Sequence, residues 1–355
     1  MELYAVIMAG GIGTRFWPRS KEKTPKQLLK IFGENTLIQN TVKRLEGVIK
    51  DENIFVITNK LQKDEIINQL SNLPKENIIE EPFGRNTAAC IGLASVVIEH
   101  KKKDAVMVVL PADHIIKDIE AFHTTIKRAA EFAYNSKGMV TIGISPSRPE
   151  TGFGYIQIDE AEVSENIFKV FTFAEKPNYA TAVRFFESGD FLWNSGMFIW
   201  RADTILEEIQ HHMPDLCEGL NYIKKDIGTA SFDKTVTNVY GQLKSISIDY
   251  GIMEKSSKVF LTKGDFSWSD VGSWEEVYQL SKKDNDGNSV VGNVFTDMTI
   301  DSYIYSPNKF TAAIGIENLI VINTDDALLI VRRDQCQEVK KVVDHLKINK
   351  LNEYL

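Results

Sequence analysis

Residues 4–15 read Tyr4-Ala5-Val6-Ile7-Met8-Ala9-Gly10-Gly11-Ile12-Gly13-Thr14-Arg15, an apolar run of strand length that opens into glycines. A strand broken this way presents several backbone N–H groups with no side chains in front of them, and such a loop can wrap an anion. The chain continues Phe16-Trp17-Pro18-Arg19-Ser20 and, after a short basic stretch, Pro25-Lys26-Gln27. Between Arg15 and Lys30 stand six cationic residues and one acidic residue, Glu22, in a chain of formal net charge −8. A glycine loop beside movable Arg and Lys side chains suits a polyphosphate. Two familiar phosphate loops do not fit. A P-loop needs Gly-Lys-Ser/Thr after four spacers, which is missing here, and the dinucleotide fingerprint G-x-G-x-x-G meets Phe16 where its third glycine belongs. A glycine-rich turn beside a solvated basic surface is the plain alternative.

Outward from this loop, strand-length apolar runs alternate with helical periods. Ile54 to Thr58 reads as a strand, and Thr87 to His100 as a helix with Ile91, Ala94 and Ile98 on one stripe. Ala105 to Leu110 is apolar throughout, as in a buried parallel strand; Ala121 to Tyr134 reads as a helix and Met139 to Gly143 as the next strand. The alternation predicts an α/β protein with a Rossmann-like, mostly parallel sheet whose ligands bind beyond the carboxyl ends of the strands. The pattern changes at the polar stretch Lys282 to Asn288, which divides the chain into residues 1–284 and 285–355. Beyond it lie short β runs, Val290 to Phe295, Ser302 to Tyr305, Ala312 to Ile316, Leu319 to Ile322 and Ala327 to Val331, and a closing helix from Gln335 to Leu346. By residue pattern alone these runs are equally consistent with an antiparallel β cap.

The composition narrows the function classes. A chain of 355 residues, 43% hydrophobic and 25% charged, has the make-up of a globular protein with one large and one small domain. No apolar run approaches the roughly 20 residues of a membrane span. The N-terminal apolar run is short, follows an acidic residue and leads into glycines, unlike a signal peptide. Cys90, Cys217 and Cys336 form no Cys-x-x-Cys pair, which argues against a disulfide framework or a zinc site and for the cytoplasm. The negative charge argues against nucleic acid as a partner.

Several segments carry chemistry. Asp113, in Leu110-Pro111-Ala112-Asp113-His114, follows a buried strand, where it reads either as a helix cap or as a ligand-binding carboxylate. Asp270 lies far off in Trp268-Ser269-Asp270-Val271-Gly272. Two carboxylates brought together can hold Mg²⁺, which takes oxygen ligands and keeps several waters. Glu175-Lys176-Pro177 pairs a carboxylate able to accept from two sugar hydroxyls with an ammonium suited to a phosphate, or is simply an exposed strand end. Gly152 and Gly154 among aromatics read as close approach to a sugar or as a hairpin turn. Asn194 is a polar group in an apolar run, satisfied by a ligand or by backbone. Glu81 to Thr87 leads into a helix with Asn86 or Thr87 at its N-cap. Guanine offers N1–H and N2–H₂ side by side, which a carboxylate such as Glu81 can accept together; thymine and uracil have no such pair.

Together these segments resemble the sugar nucleotidyltransferases, whose signature is G-G-x-G-T/S-R, then x-x-P, then P-K. The Trp-Pro and Pro-Lys-Gln forms, with Glu81-Pro82-Phe83-Gly84-Arg85-Asn86-Thr87-Ala88-Ala89, are similar to the mannose-1-phosphate guanylyltransferase branch. The resemblance spans Ala9 to about Val331 in eight segments, Ser247 to Lys255 among them. One departure is Ala174, where related chains have Val before Glu-Lys-Pro. The resemblance implies a nucleotidyltransferase domain followed by a small left-handed β-helix-like tail. It implies transfer of GMP from GTP to mannose 1-phosphate, giving GDP-mannose and pyrophosphate, with Mg²⁺ held by Asp113 and Asp270. Nucleotide binding would fall to Ala9, Gly10, Gly11, Gly13, Thr14, Arg15, Lys26, Glu81, Arg85, Asn86, Pro111 and Asp113. Gly154, Glu175, Lys176, Asn194 and Asp249 would hold the sugar phosphate, and Arg15, Lys26, Lys176 and Asp113 would carry catalysis. A sugar phosphate is largely dianionic at pH 7, since its second pKa is about 6, so it needs no general base. A homodimer is also implied. Related two-function chains carry a phosphomannose isomerase domain, for which residues 285–355 are too few, so one activity is expected. The alternatives are another sugar 1-phosphate or nucleoside triphosphate, or a sugar-nucleotide sensor without catalysis.

Overall fold

A computed structural model describes residues 1–355. The apolar run ahead of the glycines is strand β1 (Leu3–Met8). The next strands are β2 (Ile54–Asn59), β3 (Ile78–Glu81), β4 (Val106–Pro111), β5 (Ile115–Ile116), β6 (Met139–Ile144) and β7 (Tyr155–Ser164). They continue with β8 (Ile167–Ala174), β9 (Phe191–Arg201), β10 (Val259–Lys263) and β11 (Trp268–Ser269). Nine of them form one sheet in the order β3-β2-β1-β4-β9-β6-β10-β8-β7, while β5 and β11 pair separately. Seven strands of the nine share one direction; β8 and β9 run against them. The sheet is thus mostly parallel, as the alternating pattern predicts.

Alternate residues of β1 explain its unbroken apolarity. Ala5 and Ile7 enter a core shared with Phe122 and Ile126 of the helix Ile119–Ser136. Tyr4 and Val6 enter a second core, on the other face, with Ile91, Ala94 and Ile98 of the helix Asn86–Lys101. A strand buried on both faces has no polar side to show. No helix is long and apolar enough to cross a membrane.

The C-terminal part is a four-stranded sheet of β12 (Ser289–Asp297), β13 (Tyr303–Ile314), β14 (Leu319–Asn323) and β15 (Leu328–Arg332) in that order. β12, β13 and β14 pair in parallel and only β15 is antiparallel, so an antiparallel cap is excluded. Ser302 to Tyr305 and Ala312 to Ile316, expected as two strands, belong mainly to the single strand β13. Its pairing with β12 shifts register beyond Gly292. Gly292 has φ 104°, and a side chain there would collide with the Ser306 backbone. The expected closing helix is two pieces, a 3₁₀ stretch at Arg333–Val339 and an α-helix at Lys340–Ile348. Cys336 and Val339, both buried, are three residues apart, the spacing that a 3₁₀ turn stacks on one side. Residues 285–355 share their core with the rest of the chain: Tyr303, Ile320, Leu329 and Val343 pack with Phe16, Trp17, Val271 and Trp274.

Candidate active site

Segments remote in sequence meet at the carboxyl edge of the sheet around a cleft of about 530 Å³. Gly10 and Gly11 reach it from the end of β1, Glu81 from β3, and Pro111 and Asp113 from β4. Gly154, Glu175, Lys176, Asn194, Asp249 and Asp270 form the rest of the wall, with Arg85 and Asn86 at the start of a helix. A smaller recess of about 250 Å³ is lined by Gly13, Thr14, Arg15 and Lys26 and shares Asp113 and Asp270 with the cleft. Ala9 lines neither. Its side chain is in the core, and its carbonyl accepts from Gln27 Nε2 (3.1 Å) and Thr58 Oγ1 (3.1 Å).

The glycine loop turns at Gly13, whose φ is 64°. A side chain there would overlap Lys26 Cβ, 2.6 Å from the site of its first carbon, so only glycine allows the lysine to pass. Lys26 is 5% exposed and its Nζ donates to Asp113 Oδ2 (2.8 Å) and to the Asp270 carbonyl (2.5 Å). One ammonium therefore links the two segments expected to bind metal. Asp113 does not cap the helix Ile119–Ser136, whose N-cap residue is Asp118. Burial acts to raise the Asp113 carboxyl, but Lys26 beside it holds it below the usual range. Asp270 is pushed the other way, by burial and then by the Glu276 carboxylate. Its Oδ1 is buried and has no hydrogen-bond partner. No set of three or more His, Cys, Asp or Glu side chains surrounds a common point anywhere in the chain. The unpartnered Asp270 Oδ1, with Asp113 lining the same cleft, suits a hard divalent cation that keeps its remaining positions for water and phosphate. Arg15 is exposed on the rim of the recess.

On the far side of the loop, Glu81 is buried with its Oε1 accepting from the Tyr240 hydroxyl (3.0 Å). Burial pushes its carboxyl up to about 7, against the opposing pull of that hydroxyl. Arg85 is turned partly away from the cleft: its Nε and Nη2 donate to the carbonyls of Tyr240 (2.8 Å) and Gly241 (3.2 Å). Those carbonyls end the helix Phe232–Gln242, where a cation is favoured. The expected side-chain cap is not formed. Asn86 has φ 64° and its Oδ1 accepts from the adjacent Thr87 N–H (2.8 Å), while Thr87 Oγ1 accepts from Ile248 N–H (2.8 Å). Tying this turn to residues 246–248 takes the place of capping.

At the other end, Glu175 lies against Gly154: a side-chain carbon on Gly154 would sit 2.5 Å from Glu175 Oε2. The Lys176 ammonium contacts Glu175 Oε1, and the Lys176 backbone is left-handed at φ 45°. Asn194 Nδ2 donates to Asp249 Oδ1 (2.9 Å). Burial, and then the nearby Glu175, push the Asp249 carboxyl up to about 6. This end presents three acidic or amide side chains and one ammonium, a set suited to hydroxyls beside a phosphate.

Some site residues were not anticipated. Gln27, noted only as part of a motif, places Nε2 within 3.0 Å of the Gly11 carbonyl and so holds the loop open. His114 is held down to about 4 by burial, hence neutral, and its Nδ1 accepts from Trp268 Nε1 (3.2 Å). Their positions beside Lys26 and Asp113 are a signal in hindsight. Tyr240 has none, being one apolar-face residue of an ordinary amphipathic helix.

The family model for nucleotidyl transferases matches residues 4–287, and that for a mannose-phosphate-isomerase/GMP-like β-helix domain matches residues 292–346. The chain belongs to the nucleotidyl transferase family. Over 100% of its length it is 41% identical to a Salmonella typhimurium protein named mannose-1-phosphate guanylyltransferase, covering 74% of that protein. A crystal structure from Thermus thermophilus, described as mannose-1-phosphate geranyltransferase, aligns over 98% of this chain and 100% of its own, at 32% identity and TM-score 0.88. A Helicobacter pylori structure described as mannose-6-phosphate isomerase aligns over 76% of this chain and 100% of its own, at 28% identity and TM-score 0.61.

Proposed function

We propose that this protein transfers GMP from GTP to α-D-mannose 1-phosphate, releasing pyrophosphate and forming GDP-mannose. The observation that carries the reading is the meeting, in one cleft, of the glycine loop, the Lys26–Asp113–Asp270 group and the Glu175–Lys176 pair. Relatives bearing the name mannose-1-phosphate guanylyltransferase support the choice of substrates. The three free cysteines support a reducing compartment, the cytoplasm. A homodimer and a division of the chain at 284/285 are parts of the same proposal.

In this mechanism the backbone N–H groups of Gly10, Gly11 and Gly13 cradle the triphosphate, and Arg15 and Lys26 meet the charge of the departing pyrophosphate. Glu81, in the deprotonated form it takes as pH rises through about 7, accepts from the guanine N1–H and N2–H₂. Glu175, Asn194 and Asp249 hold the mannose hydroxyls, and Lys176 steadies the incoming phosphate. A phosphate oxygen of mannose 1-phosphate bonds to the α-phosphorus as the bond to the bridging oxygen of pyrophosphate breaks. That oxygen is already deprotonated, so no residue removes a proton, and the chain's work is alignment and charge stabilisation. Asp113 and Asp270 would hold Mg²⁺, which when bound offsets the phosphate charge and draws electron density from the α-phosphorus.

The test is a panel: mannose 1-phosphate and Mg²⁺ with each of GTP, ATP, UTP and CTP, reading pyrophosphate. Release with GTP far above the others is expected. Equal release with all four would refute the base assignment, and none with GTP would refute the reaction.

A further inference from the structure

We propose that residues 285–355 act as a clamp on the phosphate-binding loop, with Trp17 and Ser20 as positioning residues through which the clamp sets the loop's shape. The inference rests on the reading that Gly10 to Arg15 holds the nucleotide phosphates. Between the glycines and Lys26 the chain must run through residues 16–22, and the C-terminal part grips this run along its length. Phe16 and Trp17 are buried in the core that the C-terminal sheet builds with Trp274. Trp17 Nε1 donates to the Tyr354 carbonyl (3.0 Å), while the Trp17 carbonyl accepts from Trp274 Nε1 (3.2 Å) of the larger domain, against which the C-terminal part packs. The Arg19 guanidinium lies 4.2 Å from the centre of the Tyr305 ring. Lys21 pairs with Asp326, and Glu22 with Lys347 (3.4 Å).

The grip passes to the site through one side chain. Ser20 is 3% exposed, and its Oγ donates to the Ile12 carbonyl at the crest of the loop (2.6 Å). Its Oγ also lies 3.2 Å from where a Gly13 side chain would begin, beside Lys26. So the hydroxyl that closes the glycine turn stands on a segment whose position is decided by residues some 300 further along the chain. The contacts on residues 19–22 are exposed ion pairs and a ring contact, each weak alone. The rigidity comes from the buried Trp17 indole, packed with Tyr303, Ile320 and Leu329 and bonded to the Tyr354 carbonyl.

Three variants test this: Ser20→Ala on the loop side, Trp17→Phe at the junction, and Tyr305→Leu on the C-terminal side, which touches no part of the cleft. Each is expected to raise KM for GTP by about 2- to 30-fold, the span typical of changes along a coupled network. KM for mannose 1-phosphate should stay near its original value, and amide hydrogen exchange in residues 10–15 should quicken. A general loss of stability would move both KM values or neither. Should Trp17→Phe fold poorly, Ser20→Ala and Tyr305→Leu still decide. Unchanged GTP KM and unchanged exchange in those two, in a chain whose unaltered form transfers GMP, would overturn the clamp. If the unaltered chain transfers no nucleotide, the functional reading falls, and the exchange comparison alone decides for or against the clamp.

Discussion

Replacing Gly154 by alanine puts one methyl group into the Gly154–Glu175 contact at the end of the cleft proposed to hold the sugar. Its carbon would lie 2.5 Å from Glu175 Oε2 and 3.3 Å from Asn194 Cβ. Non-bonded atoms settle at about 3.5 Å, so the carboxylate must retreat by about 1 Å. The Glu175 side chain is 7% exposed and lines the cleft, so any shift of its carboxylate changes the wall proposed to hold the sugar. Displacing a substrate-positioning group by about 1 Å costs on the order of 10²-fold in rate, or about 2.7 kcal/mol at 1.36 kcal/mol per tenfold. The backbone at Gly154 is not left-handed, so alanine adds no strain there and the fold should keep its melting temperature. Steady-state kinetics with each substrate varied in turn is the assay. The expected result is a fall of about 10²-fold in kcat/KM for mannose 1-phosphate, with KM for GTP little changed. A stable variant with unaltered kcat/KM for the sugar phosphate would refute the placing of Glu175 at the sugar.

Glu81→Gln should make stability less dependent on pH. The folded carboxyl titrates at about 7 and the unfolded one near 4.5, so between these values the unfolded chain gives up its proton first and the folded state loses stability as pH rises. The variant should therefore be more stable than the parent at pH 8, by on the order of 1 to 3 kcal/mol, and no more stable at pH 4.5. Urea unfolding at the two pH values checks this, and an equal difference at both would contradict it. Lys26→Met keeps the buried stem but takes the donor from Asp113 and the Asp270 carbonyl. A loss of about 1 kcal/mol is expected, the low end for a stranded buried acceptor because Asp113 is 32% exposed and water can replace the ammonium there. Transfer should be abolished. An unchanged unfolding midpoint would show that the ammonium does not bridge these groups.

How much of this was legible follows from what local sequence can encode. Strands β1, β2, β4 and β6 announced themselves because a strand buried on both faces is apolar nearly throughout, with only Thr58, Asn59 and Thr141 polar among them. The glycine loop was legible because Gly13 needs a left-handed backbone and room for Lys26, requirements no other residue meets. Asp113 and Glu175 were legible as carboxylates at strand ends. By contrast, the insertion of β9 against its neighbours between β4 and β6 has no local signature, since an apolar strand pairs in either direction. Nor does the merging of two short runs into β13, which depends on where Gly292 lets β12 and β13 slip.

The order of amino acids by itself determined the periodicities, the turn at the glycines and the types of group available for chemistry, because these depend on neighbours within a few residues. Tertiary structure alone decided which groups meet. Lys26 reaches Asp270 across 244 positions, Tyr240 reaches Glu81 across 159, and Trp17 reaches Tyr354 across 337. Each of those partnerships forms on surfaces that exist only after the sheet and its helices have packed, so it is a property of the assembled core rather than of any stretch of chain.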